Sequence, residues 1–458
     1  MSYSEYKQDA HTTTMKSPTY SLGRWQVLHI AWPIILSNLS TPLLGLVDTA
    51  VIGNWGDASL IGAIALGGII FSFLYWGFGF LRMGTTALVA QAVGARQTVQ
   101  SRASFYRAFM LGSLIGFLLL ILQAPILDFA LSMLDGSDAV ESSARRYFEI
   151  RIWAAPISLA HLAIMGLLLG HGETKLLLLL QLILNCSNIV LDIVFVVFLE
   201  MGVEGVALAT VIAEVLALCA GLIIVYRKLN AHDNTLKVPF AILLDKAALK
   251  VMFLINRDIM IRTLCLIFAF AWFANQGAQS GDITLAANAI LMQFVSFAAF
   301  FLDGFALAAE TLVGRAIGAD DAQFLDKAIY YASELGLVTA FFLGSIFFFA
   351  GDLMINVITN IEEVRQVAST YLPWVIVTPL VSVACYLLDG IFIGSTRTQE
   401  MRNAMIASLA AFLIAWYFFH PWWGNHGLWL SLEIYFIARG VTLAFYFPKI
   451  KHTVSRSA

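Results

Sequence analysis

Long apolar stretches recur along the whole chain and are separated by short polar segments. Each is roughly 20 residues or longer, which is enough for an α-helix to cross the hydrocarbon core of a bilayer. Twelve such stretches cover residues 25–52, 60–85, 105–133, 148–170, 176–199, 205–226, 252–277, 284–308, 328–350, 371–394, 403–420 and 427–447. The short alternating segments of a transmembrane β-barrel do not occur. The pattern therefore predicts an all-α polytopic membrane protein with twelve transmembrane helices.

The composition agrees with this prediction and excludes a soluble domain. Hydrophobic residues make up 60% of the chain and charged residues 12%, whereas soluble domains carry about one quarter charged residues. Residues 1–24 are polar and lack the apolar core of a cleaved signal peptide, so we expect a polar tail followed by an uncleaved first helix.

The distribution of Lys and Arg predicts the orientation in the membrane. Most of them fall in the connections on the side of the two termini, among them Arg96, Lys228 and Arg397. The opposite connections carry Arg145, Arg146 and Arg365. Because positively charged connections remain in the cytoplasm, we expect both termini to be cytoplasmic.

The two halves of the chain resemble each other. The stretch "GTTALVAQAVGA" at 84–95 matches "AAETLVGRAIGA" at 308–319. Gly170 pairs with Gly394 at the same separation along the chain. We call this separation between equivalent residues of the two halves the repeat offset. Two repeats of six helices insert with the same orientation and are related by an axis along the membrane normal. We therefore predict two six-helix lobes around a central cleft. The predicted divisions are a tail at 1–24, an N-lobe at 25–226, a linker at 227–250, a C-lobe at 251–447 and a tail at 448–458.

Polar residues recur at helical spacing within three apolar stretches of the N-lobe. Such residues are expensive in a membrane, so they normally face a cavity. The fifth stretch carries Gln181, Asn185, Asn188 and Asp192, the first carries Asn38, Thr41, Gly45 and Asp48, and the sixth carries Thr210 and Glu214. These stripes predict a hydrated chamber in the N-lobe.

Asp48 and Asp192 give this chamber its expected chemistry. Two carboxylates close together in a low-dielectric chamber cannot both stay ionised, so the pair can take up and release a proton. Alternatively, carboxylate, amide and hydroxyl oxygens together suit Na⁺. A third alternative is that the two acids only hold helices together through hydrogen bonds. Pro33 precedes Asp48 on the first helix and is a candidate hinge.

The C-lobe carries its acids at different positions. Asp303 and Glu310 lie two helical turns apart on one face of the eighth stretch, and Asp389 lies in the tenth. We expect these three acids to line the second half of the cleft. Asp258 and Arg262, four positions apart, predict a local ion pair.

Three further features complete the candidate chemistry. Arg82 is expected to pair with a buried acid or to reach the membrane surface. His161 either titrates in the chamber or packs between helices. The four cysteines, Cys186, Cys219, Cys265 and Cys385, lie in separate apolar stretches and predict neither disulfides nor a metal site. Since no nucleophile or metal constellation is present, we do not expect an enzyme.

Five segments resemble the multidrug and toxin extrusion (MATE) family, in its DinF-like branch. They are "WPIILSNLSTPLLGLVDTAVIG", "LRMGTTALVAQAVGA", "NCSNIVLDIVFV", "GVEGVALATVIAE" and "AANAILMQFVSFAAFFLDGFALAAETLVGRAIGA". The resemblance spans roughly residues 25–447 and implies two six-helix lobes. It also implies a cation-coupled antiporter in a bacterial inner membrane that expels amphipathic, often cationic, compounds.

The resemblance also implies roles for individual residues. The coupling site would consist of Asp48, Asn188, Asp192 and Thr210, Pro33 would be the bending proline, and Tyr147 would belong to the substrate pocket. We add four polar residues to the expected pocket: Asn38, His161, Gln181 and Asn185.

The predicted function is export in exchange for H⁺, with Na⁺ as the alternative coupling ion. We expect a monomer that contacts small substrates and the bilayer, without nucleic acid and without a cofactor. The alternative function is a flippase for lipids or lipid-linked oligosaccharides. A flippase would favour a cationic chamber, whereas the intramembrane residues here are mostly acidic.

Overall fold

A computed structural model describes the backbone of residues 22–55, 58–133, 138–233 and 237–454. It also describes their side chains, except in residues 41–59, 61, 133–139 and 230–236. All regular elements in these ranges are helical, which is the predicted fold class. Helices suit a chain in lipid because they satisfy their backbone hydrogen bonds internally.

The first half of the chain folds into six long helical units. Their bounds are α1 Arg24–Trp55, α2 Ala58–Gly77 and Phe80–Gly94, α3 Thr98–Ile121, α4 Asp138–Arg151 and Ala155–Gly170, α5 Thr174–Asp192 and α6 Gly202–Asp233. The two parts of α4 are joined by a 3₁₀ turn at Ile152–Ala154, and α5 continues as a π-helical turn at Ile193–Phe198. A short helix, Gln123–Met133, follows α3.

The second half repeats this plan with helices that are not divided into two parts. Their bounds are α7 Lys246–Gln279, α8 Asp282–Gly318, α9 Ala322–Ile358, α10 Glu362–Gly394, α11 Thr398–Trp423 and α12 Asn425–Tyr446. Two short helices, Phe240–Leu243 and Pro448–Lys451, lie at the two ends of this half. Since α6 and α7 both extend into the predicted linker, the connection between them is shorter than 227–250.

The outer surface of the bundle is apolar. Large side chains such as Phe349 and Trp422, each 85% exposed, point away from the protein, as expected for contact with lipid acyl chains. Within the described residues, ten helices are long and apolar enough to cross a membrane. Together with the long helices α1 and α7, they are consistent with the twelve predicted spans.

Backbone contacts between the two halves reflect the repeat. A Cβ atom on Gly94 of α2 would lie 2.1 Å from the carbonyl oxygen of Arg315 on α8. A Cβ atom on Gly318 of α8 would lie 1.9 Å from the carbonyl oxygen of Gln91 on α2. The two glycines are related by the repeat offset, so the helices approach each other in the same way from both sides. A side chain at either position would force the helices apart.

Hydrogen bonds across the same contact follow the same offset. The Gln91 side chain donates to the carbonyl oxygen of Gly394 at 3.0 Å, and Arg315 Nε donates to the carbonyl oxygen of Gly170 at 3.3 Å. In the repeat, Arg315 is the equivalent of Gln91, and Gly394 is the equivalent of Gly170. We call this reciprocal contact of α2, α4, α8 and α10 the seam. It lies at the end of the bundle where α1 begins, because Trp25 shares a cavity with Gly94 and Arg315.

Candidate functional site

The predicted N-lobe coupling residues lie between α5 and α6. Asn188 Nδ2 donates a hydrogen bond of 3.2 Å to Thr210 Oγ1, which itself donates to the carbonyl oxygen of Val206 at 3.0 Å. Asn188 and Asp192 have no exposed surface, and Thr210 is 4% exposed. Asp48 belongs to α1, but its side chain lies outside the described residues. The structure therefore brings together Asn188 and Thr210, with Asp192 one helical turn beyond Asn188.

The remaining polar residues of α5 face α1. Gln181 Nε2 donates to Asn185 Oδ1 at 3.0 Å, and Asn185 Nδ2 donates to the carbonyl oxygen of Ser40 at 3.1 Å. Asn38 on α1 reaches the other lobe, because its Nδ2 lies 3.4 Å from the carbonyl oxygen of Phe300 on α8. Asn185 of the fifth-helix stripe thus contacts the backbone of α1, whereas Asn38 of the first-helix stripe contacts α8.

The polar stripe predicted for the sixth helix is divided between two neighbours. Thr210 contacts α5 as described, whereas Glu214 accepts a hydrogen bond from the hydroxyl group of Ser158 on α4. Arg151, also on α4, donates to the hydroxyl oxygen of Tyr147 at 2.6 Å and lies over the ring of Phe71 at 4.7 Å. The two residues lie one helical turn apart and contact different neighbouring helices. Their predicted place in one chamber stays a prediction.

Tyr147 and His161 occupy closely packed positions in the N-lobe. The Tyr147 ring lies against Gly67, where a Cβ atom would come within 2.4 Å of its Cδ1. His161 is 9% exposed, and its Nδ1 has no hydrogen-bond partner among the described residues. Neither residue lines the cavity described next, and neither do Gln181 and Asn185. Their predicted membership of a substrate pocket stays a prediction.

A cavity of about 450 Å³ lies between the two lobes. Both repeats contribute to its wall, through α1, α2, α4 and α5 on one side and α7, α8 and α10 on the other. The polar side chains in the wall are Ser37, Asn38, Arg82, Arg262, Ser296, Asp303, Glu310 and Asp389. The aromatic side chains are Trp76, Phe270, Phe300 and Tyr386. The three acids predicted for the C-lobe cleft thus all lie on this wall, and Asn38 lies there too.

Asp389 holds two arginines at once. Its Oδ2 accepts hydrogen bonds from Arg439 Nη2 at 2.7 Å and from Arg262 Nη2. Arg439 is 1% exposed and lies over the ring of Tyr435 at 5.4 Å. No role for Arg439 was predicted from the sequence, because Arg439 and Asp389 lie on different helices and their spacing along the chain does not indicate a contact.

The predicted ion pair between Asp258 and Arg262 was wrong. Asp258 Oδ1 instead accepts hydrogen bonds from Arg257 Nη2 at 2.9 Å and from Arg402 Nη1 at 2.7 Å. A spacing of four positions permits the predicted pair, but Asp389 on α10 takes Arg262 into the cavity wall. Tertiary packing therefore overrides the local pairing rule.

Glu310 and Arg82 both line the cavity, and some of their charged atoms have no hydrogen-bond partner among the described residues. Glu310 has no exposed surface, and neither of its carboxylate oxygens has a hydrogen-bond partner among the described residues. The same holds for Nη1 of Arg82. Buried polar groups are nearly always hydrogen-bonded, so these atoms are exceptions in the cavity wall.

A second cavity, of about 740 Å³, lies beside the seam. It is lined by the beginning of α1 and by the ends of α2 and α8, including Trp25, His29 and Arg96. None of the predicted site residues contributes to it. As for metals, no group of three or more His, Cys, Asp or Glu side chains suited to bind an ion occurs in the part of the chain that the structure describes.

Comparisons with known proteins agree with this architecture. The MatE family model matches the chain twice, at residues 33–194 and 259–420. The second match begins at residue 259, which is close to the repeat equivalent of residue 33, where the first match begins. The duplication predicted from the sequence is thus also present in the family match.

Individual relatives cover nearly the whole chain. The DNA damage-inducible protein F of Escherichia coli is 41% identical over 420 residues, which are 91% of this chain and 90% of the relative. The probable multidrug resistance protein NorM of Rhizobium meliloti is 25% identical over 93% of this chain and 94% of its own length.

Among solved structures, the Vibrio cholerae MATE transporter VcmN in the bent form has a similar fold. The TM-score is 0.84 at 20% sequence identity, over 94% of this chain and 97% of that chain. The resemblance to the MATE family and its DinF-like branch is confirmed. The chain therefore belongs to the MatE family, whose members are multi-pass membrane transporters and not enzymes.

Proposed function

We propose that this protein is a secondary antiporter that exports amphipathic, cationic organic compounds in exchange for H⁺, with Na⁺ as the alternative coupling ion. Relatives named as multidrug resistance or export proteins, including those of Rhizobium meliloti and Staphylococcus aureus, support the direction and the substrate class. We further propose that it acts as a monomer in a bacterial inner membrane, with both termini in the cytoplasm.

The observation that carries this proposal is the cavity between the lobes. Its volume of about 450 Å³ falls within the range of small-molecule sites, roughly 300–1,000 Å³. Because both repeats supply its wall, a rocking movement of one lobe against the other exposes it to one side of the membrane at a time. Its aromatic side chains and its three acids, Asp303, Glu310 and Asp389, suit a flat, apolar molecule with a positive charge.

We propose that the coupling ion binds in the N-lobe at Asp48, Asn188, Asp192 and Thr210. The burial of the last three removes them from bulk water. An ionised acid there is costly unless it is paired, which favours proton uptake or a bound cation. The hydrogen bond from Asn188 to Thr210 fixes two oxygen-bearing side chains beside Asp192.

Helix α1 offers a physical connection between this site and the cavity. Ile34, Ser37 and Asn38 of α1 lie in the cavity wall, immediately after Pro33. The helix is continuous across Pro33, which lacks the N–H group needed for a normal helical hydrogen bond. In our mechanism, protonation of Asp48 bends α1 at Pro33, which changes the cavity wall and releases the substrate.

The alternative function is a lipid or lipid-linked-oligosaccharide flippase. A pyrophosphate head group would need an excess of positive charge in the cavity. The cavity wall instead carries three acids, Asp303, Glu310 and Asp389, against the two arginines Arg82 and Arg262. This charge distribution favours a cationic substrate over a phosphorylated one.

The test uses purified protein in proteoliposomes with either a pH gradient or a Na⁺ gradient. We expect a lipophilic cation such as ethidium to move against the pH gradient, and the Asp48→Asn variant to bind ethidium without transporting it. Transport driven by Na⁺ alone would identify Na⁺ as the coupling ion. Full transport by Asp48→Asn would refute the coupling mechanism, and no transport by the wild-type protein under either gradient would refute the function.

A further inference from the structure

Glu310 is a buried acid whose surroundings do not satisfy it. It lies on α8 in the wall of the cavity, with no exposed surface and with both carboxylate oxygens lacking a hydrogen-bond partner among the described residues. Burying a charge without a partner carries a large desolvation penalty. An ionised Glu310 therefore needs a compensating charge from elsewhere in the cavity wall or from a bound molecule.

Arg82, on α2 of the opposite lobe, lines the same cavity and has a larger electrostatic effect on this acid than Arg262 has. It interacts electrostatically with both Glu310 and Asp303, but the described ion pairs within 4.0 Å do not join it to either. Thr86, one turn further along α2, also faces Glu310, while its hydroxyl group donates to the carbonyl oxygen of Arg82. Arg262, which Asp389 holds, has a weaker effect than Arg82 on Glu310 but a stronger one on Asp303.

The internal repeat shows that packing does not require an arginine at position 82. A Cβ atom on Gly166 would lie 2.7 Å from the carbonyl oxygen of Arg82, and a Cβ atom on Gly390 would lie 2.1 Å from that of Ala306. By the repeat offset, Gly390 is the equivalent of Gly166, and Ala306 is the equivalent of Arg82. The equivalent of Arg82 in the C-lobe is therefore an alanine in the same helix contact. The long cationic side chain serves a purpose that this contact does not explain.

We propose that Arg82 competes with the substrate's positive charge for Glu310 and Asp303. In the empty protein Arg82 partly compensates the two acids from across the lobe boundary, and an organic cation takes over this role when it binds. This inference rests on the proposed export function and specifies how its cavity recognises a substrate.

The position of Arg82 also connects substrate affinity to the movement of the lobes. Arg82 and Gly94 belong to the same helix segment of α2, and Glu310 and Gly318 belong to α8, whose end meets α2 at the seam. Opening the seam withdraws Arg82 from the acids and raises their affinity for a cation. Closing the seam brings Arg82 back and lowers that affinity, which favours release on the opposite side.

The test measures equilibrium binding of two probes of equal shape and opposite charge, tetraphenylphosphonium and tetraphenylborate. Arg82→Gln should bind tetraphenylphosphonium about 5- to 30-fold more tightly than the wild-type protein, but transport it more slowly. Tetraphenylborate binding should not become tighter. Arg82→Lys should stay close to wild type, as should Arg227→Gln, which changes an exposed arginine of α6.

A double-mutant cycle then assigns the effect to Glu310. Glu310→Gln should bind tetraphenylphosphonium at least ~10-fold more weakly, and adding Arg82→Gln to it should restore little affinity. Equal or weaker tetraphenylphosphonium binding by a folded Arg82→Gln variant would overturn the proposal. So would a gain that persists in the double variant.

Two further outcomes are a variant that does not fold and a wild-type protein that does not transport the probe. If Arg82→Gln does not fold, spin labels at Gln97 and Ala319 in an otherwise cysteine-free Arg82 protein should move apart when tetraphenylphosphonium binds. An unchanged distance would overturn the proposal. If the wild-type protein binds tetraphenylphosphonium but does not transport it, the proposed function fails, while the binding cycle still decides the role of Arg82.

Discussion

Removing the carboxylate of Asp389 should destabilise the C-lobe strongly, because it leaves two buried arginines without their shared partner. Arg262 and Arg439 both donate to Asp389 Oδ2, and Arg439 is 1% exposed. Breaking a buried ion pair by removing one partner costs about 3–5 kcal/mol. Asp389→Asn keeps the size of the side chain, so cavity formation does not contribute to this loss.

The expected shift in melting temperature follows from the length of the chain. Unfolding entropy near 60 °C is about 2.1 cal/mol/K per residue, so a chain of 458 residues gives about 1 kcal/mol/K. A loss of 3–5 kcal/mol therefore corresponds to a melting temperature lower by about 3–5 °C. Tryptophan fluorescence during heating in detergent measures it, at one fixed scan rate because membrane proteins often unfold irreversibly.

Two matched variants identify the cause. Glu363→Gln removes an exposed acid from the same helix and should shift the melting temperature by less than about 0.5 °C. Arg439→Met leaves the pair between Asp389 and Arg262 intact, so its loss should be smaller than that of Asp389→Asn. If Asp389→Asn melted within the scatter of the wild-type protein, the assignment of this triad to the stability of the C-lobe would be refuted.

Three further predictions concern movement and packing. Pro33→Ala should fold normally and bind ethidium with wild-type affinity, but slow proton-driven ethidium export at least ~10-fold; an unchanged export rate would contradict the hinge. Gly318→Val should hold the seam open, so a cysteine substituted at Gln91 should become accessible to maleimide labelling. The control Gly68→Val should not change the labelling, because a Cβ atom there meets nothing within 4 Å. Equal labelling in both variants would exclude the seam as a closed contact. Asn188→Leu should lose coupling to H⁺, whereas Glu363→Gln should keep it. Coupling is measured as the pH change outside proteoliposomes when ethidium is added. Full coupling in Asn188→Leu would remove this residue from the proposed site.

The positions of the membrane helices could be predicted from the sequence because lipid imposes a simple rule. A stretch of about 20 apolar residues has few structural options other than a spanning helix. The duplication was also visible, since Gly94 and Gly318 must both be glycine where two helix backbones touch. Helix ends were predicted less well, because polar ends such as that of α6, which runs to Asp233, extend beyond the apolar core.

The identities of the intramembrane acids were visible, but their partners were not. Helical spacing predicts which residues share a face, and for Asn188 and Asp192 that is enough to place them together. It gives no information about which other helix meets that face. Thr210 and Glu214 therefore contact different helices, although they lie only four positions apart.

The sequence alone determined the membrane environment, the repeat and the presence of costly charges, because each follows from composition or local periodicity. Only the tertiary structure decided how those charges are compensated. Arg262 joins Asp389 and Arg439 rather than nearby Asp258, and Arg82 faces Glu310 across the lobe boundary without a direct ion pair. The physical reason is that electrostatic pairing in a membrane depends on distance in space, and packing of distant helices sets those distances.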